Sequence, residues 1–384
     1  MLEVLITAII SFIVAFLAIP VVIHIANKKK LFDVPDERKL HTHAIASLGG
    51  VGIFLGFMFS SMLMINMTAN PEFKFFLSAT FMLFFVGLKD DLVLLSATKK
   101  LIVQILVAAI IIHLGGIRIE SLYGIAGLEA LDPMIGIPLT YVTIILIINA
   151  YNLIDGVDGL AGSLGLMFSL LLGTYFYFAG MYAYSAFSFS LSAALLAFLI
   201  FNFNPAKIFM GDSGSLVVGM IASILVLKFI NVASSPNAVI PVTSAVAIGI
   251  SLLIIPLVDT IRVFAVRMFN GRSPFSPDRN HVHHLILDRG NTHSSVTLLC
   301  VSANIILIMA TYLLRGLGNT VLIIGLFTIC FSILGYLYFT LPKRKMVIHR
   351  RFIINRAREQ EMKTRSKVID LNTKEERQIE RAKG

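Results

Sequence analysis

The chain has no tryptophan, only two cysteines and few charged residues, which make up 14% of its 384 positions. A soluble globular domain carries roughly 25% charged residues, so this composition excludes an ordinary soluble protein. Cys300 and Cys330 both lie in apolar runs, and they can build neither a disulfide framework nor a cysteine-based metal site. The chain also lacks an internal repeat of the kind that marks secondary transporters.

Apolar sequence is abundant instead, with 57% hydrophobic residues and a mean hydropathy of +0.85. Runs long enough to cross a hydrocarbon core predict an all-α polytopic membrane protein with about eleven transmembrane helices. The runs lie near 1–26, 48–68, 73–89, 100–115, 137–150, 161–180, 183–203, 213–230, 239–260, 295–314 and 320–341. We therefore predict a transmembrane domain over 1–341 and a basic tail over 342–384. Alternating residues with turn glycines over 117–130 predict a small β-hairpin outside the membrane.

The basic residues indicate the orientation. If the N-terminus lies outside, 28 of the 32 lysines and arginines fall on the inner side, and such residues favour the cytoplasm. The first run lacks a cleavage site and is interpreted as an uncleaved anchor of an inner-membrane protein. Fourteen basic residues lie in the tail, where they are typical of a segment that faces lipid headgroups. The net charge of +10 therefore predicts contact with the bilayer and no nucleic-acid partner.

Two acidic clusters fall at predicted helix ends on the cytoplasmic face. Asp90 and Asp91 are adjacent, so keeping both ionised requires a nearby cation or a raised pKa. Four oxygen-bearing side chains recur at every third position, which would keep them on one face of a helix: Asn149, Asn152, Asp155 and Asp158. A solvated helix end and an Asx-rich turn are the structural alternatives. The coincidence of both clusters at one membrane surface favours a reaction site.

The segment from Asn202 to Ser215 adds Lys207 and Asp212 at a helix start, where Asp212 and Ser213 are expected to cap the helix. The run Gly-Asp-Ser-Gly within it resembles the nucleophile turn of trypsin-like proteases, which need a β-barrel that this chain cannot build. An intramembrane protease is a second alternative. It requires a serine and a histidine facing each other from transmembrane helices, whereas the histidine cluster here falls in a polar loop.

That loop runs from Asp259 to His293 and is rich in arginine and histidine. Its donors are suited to phosphate oxygens, which arginine binds through two hydrogen bonds. The central group is Arg279, His281, His283 and His284. The alternative to phosphate binding is a zinc ion held by the histidines. The remaining histidines, including His293, are interpreted as interfacial residues at helix ends.

Together these residues are hard oxygen ligands and cationic donors. Such a set suits Mg²⁺, with Mn²⁺ as a second choice, held jointly by carboxylates and a substrate's phosphates. Phosphoryl transfer at the membrane surface is the chemistry this favours, with one lipid substrate and one cytosolic substrate. A transporter is the alternative from another class, and it would carry its acidic residues near the middle of the bilayer.

Five motifs occur in order over roughly 28–341: Arg38 to His41 with Gly49-Gly50, Gly87 to Asp91, Asn149 to Gly159, Phe209 to Ser215, and Asp278 to His284. They resemble the polyprenyl-phosphate N-acetylhexosamine-1-phosphate transferase family. The form His-x-His-His is similar to its GlcNAc-1-phosphate branch. The segment before Gly49 departs from the family pattern, since Ala44, Ala46 and Ser47 stand there.

The resemblance implies transfer of GlcNAc-1-phosphate from UDP-GlcNAc to undecaprenyl phosphate with release of UMP, the first step of a cell-surface polysaccharide. Another UDP-N-acetylhexosamine is the alternative donor, and a homodimer is left open. The implied metal ligands are Asn152 and Asp212. The implied catalytic residues are Asp90, Asp91, Asp155 and His281. The implied substrate contacts are Lys100, Asn149, Asp158, Arg279, His283 and His284, with Asp158 reading the uracil.

Overall fold

The computed structural model describes residues 2–29, 31, 45–271, 282–287 and 289–340. Within these ranges the chain forms a helical bundle. The helices are α1 (Leu2–Lys29), α2 (Gly49–Met64), α3 (Glu72–Leu92), α4 (Ala97–Ala109), α5 (Pro133–Ile154), α6 (Leu160–Phe178), α7 (Tyr182–Asn202), α8 (Gly211–Ala233), α9 (Ala245–Leu252), α10 (Ile254–Phe269), α11 (Val282–Leu287), α12 (His293–Leu313) and α13 (Asn319–Phe339). The prediction of an all-α polytopic membrane protein is confirmed.

Eight of the described helices are long and apolar enough to cross a membrane, or up to nine if the bent pair α9–α10 counts as one span. Helix α2 is apolar but has only 16 residues. Helix α3 has 21 residues and carries charged residues at both ends. The count of eleven spans and the orientation stay predictions.

Two short strands follow the π-helical turn Ile110–Leu114 that extends α4. Strand β1 (Ser121–Ile125) pairs antiparallel with β2 (Leu128–Ala130), with Ser121 opposite Ala130. The strand pair contacts the start of α13, where Ala126 N donates to Thr320 Oγ1 at 2.9 Å. Whether it lies outside the membrane stays a prediction.

Helix α8 forms the centre of the bundle. It packs against α2, α3, α5, α6, α7 and α9, and 78% of the residues in its apolar 18-residue stretch are buried. Helices α1, α12 and α13 bury only 22–28% of theirs, as expected of helices that face lipid. The start of α8 is therefore surrounded by the ends of its neighbours, and the site is built there.

The predicted span over 239–260 is wrong in one respect, because the helix breaks at Leu253 and bends by 76°. Pro256 lacks the N–H that a continuous helix would need and its ring clashes with the preceding turn. Asn304 of α12 binds backbone groups at the break, donating to Ser251 O at 3.0 Å. The polar loop expected from Asp259 also begins later, since α10 continues to Phe269.

Residues 1–336 and 337–384 form two compact units. Of the second unit only 337–340 are described, and they form the end of α13 and the residue after it. The predicted tail over 342–384 lies outside the described residues.

Candidate active site

Asp91, near the end of α3, caps the start of α8. Its Oδ1 accepts from the backbone N of Asp212 at 2.7 Å, and its Oδ2 accepts from the backbone N of Ser213 at 3.0 Å. A carboxylate at a helix N-terminus binds N–H groups that have no partner within the helix. The expectation that Asp212 and Ser213 themselves cap α8 is therefore wrong, since no side chain of this helix caps it. The side chain of Asp212 is directed elsewhere.

Two glycines allow α3 and α8 to meet this closely. A Cβ on Gly87 would lie 2.6 Å from the carbonyl oxygen of Asp212. Gly211 has φ +70°, and a Cβ there would lie 2.7 Å from a carboxylate oxygen of Asp91. Any larger residue at either position would separate the cap from the helix it serves.

Lys100, in the first turn of α4, joins two carboxylates. Its Nζ lies 2.5 Å from Asp90 Oδ2 and 2.5 Å from Asp212 Oδ2. Asp90 is only 7% exposed, and its other oxygen accepts from the backbone N of Leu95 at 2.5 Å. A buried carboxylate needs such partners because leaving it unpaired is costly. Lys100 is therefore the internal counter-ion of this cluster.

Asn152, in the last turn of α5, completes the surroundings of Asp212. Its Nδ2 donates to Asp212 Oδ1 at 2.9 Å and to Ser215 Oγ at 3.0 Å. Both contacts use the nitrogen of the amide, so its oxygen is the atom that can turn toward a cation. The structure thus brings both predicted metal ligands together.

Asp155 follows the last residue of α5 and lies beside the same cluster. Burial is the main cause that raises its pKa to about 8; the negative charges of Asp212 and Asp91 also raise this pKa, and a hydrogen bond from the backbone of Gly211 lowers it. A carboxyl in this state can hold a proton near neutral pH. It is the only carboxyl of the predicted catalytic group that follows the end of its helix rather than lying within one.

Asn149 lies one turn before Asn152, but its contacts differ. Its Nδ2 donates to Gln104 Oε1 at 2.8 Å and to Ile145 O at 2.7 Å. Gln104 is 1% exposed. The amide pair therefore joins α4, which carries Lys100, to α5, which carries Asn152.

Asp158 does not share a helical face with the other three residues of its run, because α5 ends at Ile154. Gly159, with φ +77°, turns the chain into α6. Asp158 is 6% exposed, and its Oδ1 lies 3.2 Å from His293 Nδ1. The expected alignment at every third position is therefore correct within the helix and wrong beyond it.

Arg279 and His281 lie outside the described residues, and so do the side chains of His283 and His284, whose backbone belongs to α11. Their predicted contacts with sugar and phosphate stay predictions. Gln104 and Ser215 contact residues of the site but were given no role in it from the sequence. His293 was interpreted as an interfacial residue, and it contacts Asp158. Gln104 follows Lys100 by four positions, a spacing that places both on one helix face, and this signal could have found it.

No three histidine, cysteine or carboxylate side chains among the described residues are arranged to enclose a metal ion. Mg²⁺ does not require such an arrangement, since one or two carboxylates and substrate phosphates usually hold it. Asp212 and Asn152 offer hard oxygen ligands of this kind. Four carboxyl groups belong to this cluster, Asp90, Asp91, Asp155 and Asp212, and Lys100 pairs with two of them, Asp90 and Asp212. The donor set and its excess of acid fit a divalent cation.

The chain is similar to known proteins over the region that holds this cluster. A model of glycosyl transferase family 4 matches residues 73–230, a range that contains every described member of the cluster. An undecaprenyl-phosphate alpha-N-acetylglucosaminyl 1-phosphate transferase of Yersinia pestis is 31% identical over 320 residues, which cover 81% of this chain and 85% of the relative. The protein of that name in Salmonella typhi is 30% identical over 350 residues, covering 86% and 91%.

A probable undecaprenyl-phosphate N-acetylglucosaminyl 1-phosphate transferase of Bacillus subtilis is 29% identical over 318 residues, covering 82% of this chain and 86% of the relative. The bundle, its acidic cluster and these similarities define a multi-pass membrane transferase. The chain belongs to glycosyl transferase family 4, which confirms the resemblance found in its five motifs.

Proposed function

We propose that the protein transfers GlcNAc-1-phosphate from UDP-GlcNAc to undecaprenyl phosphate, forming undecaprenyl-diphosphate-GlcNAc and releasing UMP. One observation carries the proposal. The ends of α3 and α5 and the starts of α4 and α8 bring four carboxyl groups, one lysine and one amide to a single end of the bundle. The similar relatives are named for this transfer onto the same lipid phosphate.

In the proposed reaction a lipid phosphate oxygen bonds to the β-phosphorus of the sugar nucleotide. The bond from that phosphorus to the bridging oxygen breaks, and UMP leaves with the oxygen. Lys100 supplies positive charge where the diphosphate is bound, and such charge stabilises a phosphoryl transition state. Asp90 holds the ammonium of Lys100 in position through its Oδ2. Asp91 holds the backbone from which Asp212 projects.

We propose Mg²⁺ as the cofactor, with Mn²⁺ able to replace it, held by Asp212 and Asn152. When bound, the cation neutralises charge on the diphosphate as the bond to UMP breaks. The excess of carboxyl groups over cationic groups in the cluster supports this assignment.

The proposed membrane arrangement has eleven spans, with the N-terminus outside, the strand pair outside and the cluster facing the cytoplasm of a bacterial inner membrane. Lys28 and Lys29 end α1, and Lys207 lies in the loop between α7 and α8, which supports a cytoplasmic position for that loop. The cluster lies at helix ends, which favours a transferase over a transporter. Ser213 is fully buried, which argues against its acting as a protease nucleophile.

A transfer assay tests the proposal. Membranes containing the protein are incubated with radiolabelled UDP-GlcNAc and undecaprenyl phosphate, with and without EDTA, and label in the lipid phase and released UMP are measured. We expect both products from the wild type, and a loss of at least about 100-fold with EDTA or in Asp212→Asn, the size typical for removing one charge-stabilising group.

Glu129→Gln in β2 is the matched control, since Glu129 is exposed and its strand pair contacts α8 at Asn231, at the opposite end of that helix from Asp212, and it should keep wild-type activity. Label entering lipid at an undiminished rate in Asp212→Asn would remove the role of Asp212. A wild type that accepts a different UDP-N-acetylhexosamine and not UDP-GlcNAc would correct the donor sugar.

A further inference from the structure

His293 is the first residue of α12 and contacts the turn between α5 and α6. Its Nδ1 lies 3.2 Å from Asp158 Oδ1 and 3.5 Å from the backbone N of Asp158. The backbone N–H of Asp158 donates to Nδ1, and the carboxylate oxygen Oδ1 lies within ion-pair distance of the same ring nitrogen.

Asp158 uses its other oxygens on two further segments. Its Oδ2 accepts from the backbone N of Ala206 at 3.3 Å, and its carbonyl oxygen accepts from Thr297 Oγ1 at 2.8 Å. Thr297 is one turn after His293 and is 2% exposed. A single buried residue therefore joins the α5–α6 turn, the α7–α8 loop and the first turn of α12.

Further hydrogen bonds run between the same segments. Gly159 N donates to Asn202 Oδ1 at 2.8 Å, and Asn202 Nδ2 donates to Ile208 O at 2.8 Å. Asn204 Nδ2 donates to Ser294 Oγ at 3.1 Å. The loop that these contacts hold leads directly into the start of α8.

Both joined segments end at the active-site cluster. Asp155 lies three positions before Asp158, and Asp212 lies six positions after Ala206. Neither segment is helical over these few residues, apart from the start of α8 at Gly211, so side-chain contacts rather than a helical backbone set their positions. A change in the orientation of Asp158 is therefore expected to shift both carboxyl groups.

We propose that His293 is a positioning residue for the transfer reaction: through the contacts of its Nδ1 with Asp158 it sets the position of the α5–α6 turn, which carries Asp155, relative to the loop that carries Asp212. The inference rests on the proposed function for its kinetic consequence. It predicts an effect on kcat, because the groups it positions belong to the reacting cluster.

Three substitutions separate this role from simple packing. An asparagine can present its amide oxygen as an acceptor where Nδ1 stands, whereas a glutamine, one bond longer, presents it near the place of Nε2. We expect His293→Ala and His293→Gln to lower kcat by about 10-fold with KM for UDP-GlcNAc changed by less than about 3-fold, and His293→Asn to keep kcat within about 3-fold of wild type. A tenfold change corresponds to about 1.4 kcal/mol.

His113→Asn is the control, because His113 also lies at a helix end but bonds to Tyr141 at 3.1 Å, away from the cluster. A double substitution with Asp158→Asn adds a second check. If His293 acts through Asp158, His293→Ala should cost much less in the Asp158→Asn background than alone. Equal losses in both backgrounds, or an effect on KM with kcat unchanged, would overturn the inference.

Amide hydrogen exchange of the purified protein tests the contact without any substrate. We expect His293→Ala to speed exchange at 156–160 and 204–213, and His293→Asn to restore protection. If the wild type shows no GlcNAc-1-phosphate transfer while this exchange pattern holds, the proposed function fails and the positioning contact stands. Unchanged exchange in a folded His293→Ala, or no restoration by His293→Asn, refutes the contact itself.

Discussion

Replacing Lys100 by methionine tests the electrostatics of the cluster most directly. The Nζ of Lys100 lies 2.5 Å from one oxygen of Asp90 and 2.5 Å from one oxygen of Asp212. The two carboxylate oxygens are therefore at most about 5 Å apart, and at an effective dielectric constant near 20 two unit charges at that distance repel by about 3 kcal/mol. Lys100 offsets this repulsion in the protein without substrate.

A divalent cation that binds Asp212 must compete with that ammonium group. Lys100→Met keeps the length of the side chain and removes its charge, so the competition disappears and the carboxylates attract a cation more strongly. About 3 kcal/mol would correspond to roughly a 100-fold gain in affinity. Asp212 is 23% exposed, and solvent screening reduces the effect, so we expect a gain of about 10-fold. Transfer activity should nevertheless fall by at least about 100-fold, because the diphosphate loses its cationic partner.

The assay is a titration of purified, EDTA-treated protein with Mn²⁺ in the absence of nucleotide, followed by electron paramagnetic resonance of the free ion. Lys99→Met is the matched control, since Lys99 is the preceding residue on the same helix and is exposed. Its Mn²⁺ affinity should equal that of the wild type. Weaker or unchanged Mn²⁺ binding in Lys100→Met would show that Lys100 does not compete with the cation, and the reasoning from these distances would fail.

Three further predictions follow from the same geometry. Asp91→Asn turns an amide N–H₂ toward one of the two backbone N–H groups from which Asp91 accepts. The free energy of unfolding should therefore fall by about 1–3 kcal/mol, and turnover per folded molecule should fall as well. Urea titration and the transfer assay measure the two effects, and an unchanged urea midpoint would contradict the cap. Gly87→Ala should lower transfer by about 10-fold by pushing α8 away from α3, whereas Gly325→Ala, with open space around it, should match wild type; equal behaviour of the two would argue against the close approach. The pKa of Asp155 is raised to about 8 in the folded protein, so between about pH 4 and 8 the folded state holds a proton that the unfolded chain has released. The free energy of unfolding should therefore fall as pH rises over this range, and metal-free Asp155→Asn should show a flatter profile of Tm against pH.

Hydropathy was sufficient to predict the class of fold, because the length of each apolar run is a property of the chain itself. The five motifs also identified most of the cluster in advance. Where the prediction failed, the cause was backbone geometry. Pro256 broke a helix that hydropathy reads as continuous, and the end of α5 at Ile154 removed Asp158 from the face that it was expected to share.

The sequence by itself determined which side chains are present and at which end of the bundle they fall, since each charged cluster borders an apolar run. Only the tertiary structure decided what each one contacts. Asp90 and Asp91 are neighbours in the chain, but successive residues of a helix point roughly 100° apart. One therefore meets Lys100 and the other meets the N-terminus of α8. Partners such as Lys100 and Asp212 lie more than a hundred positions apart, and packing around α8, rather than any local pattern, brings them together.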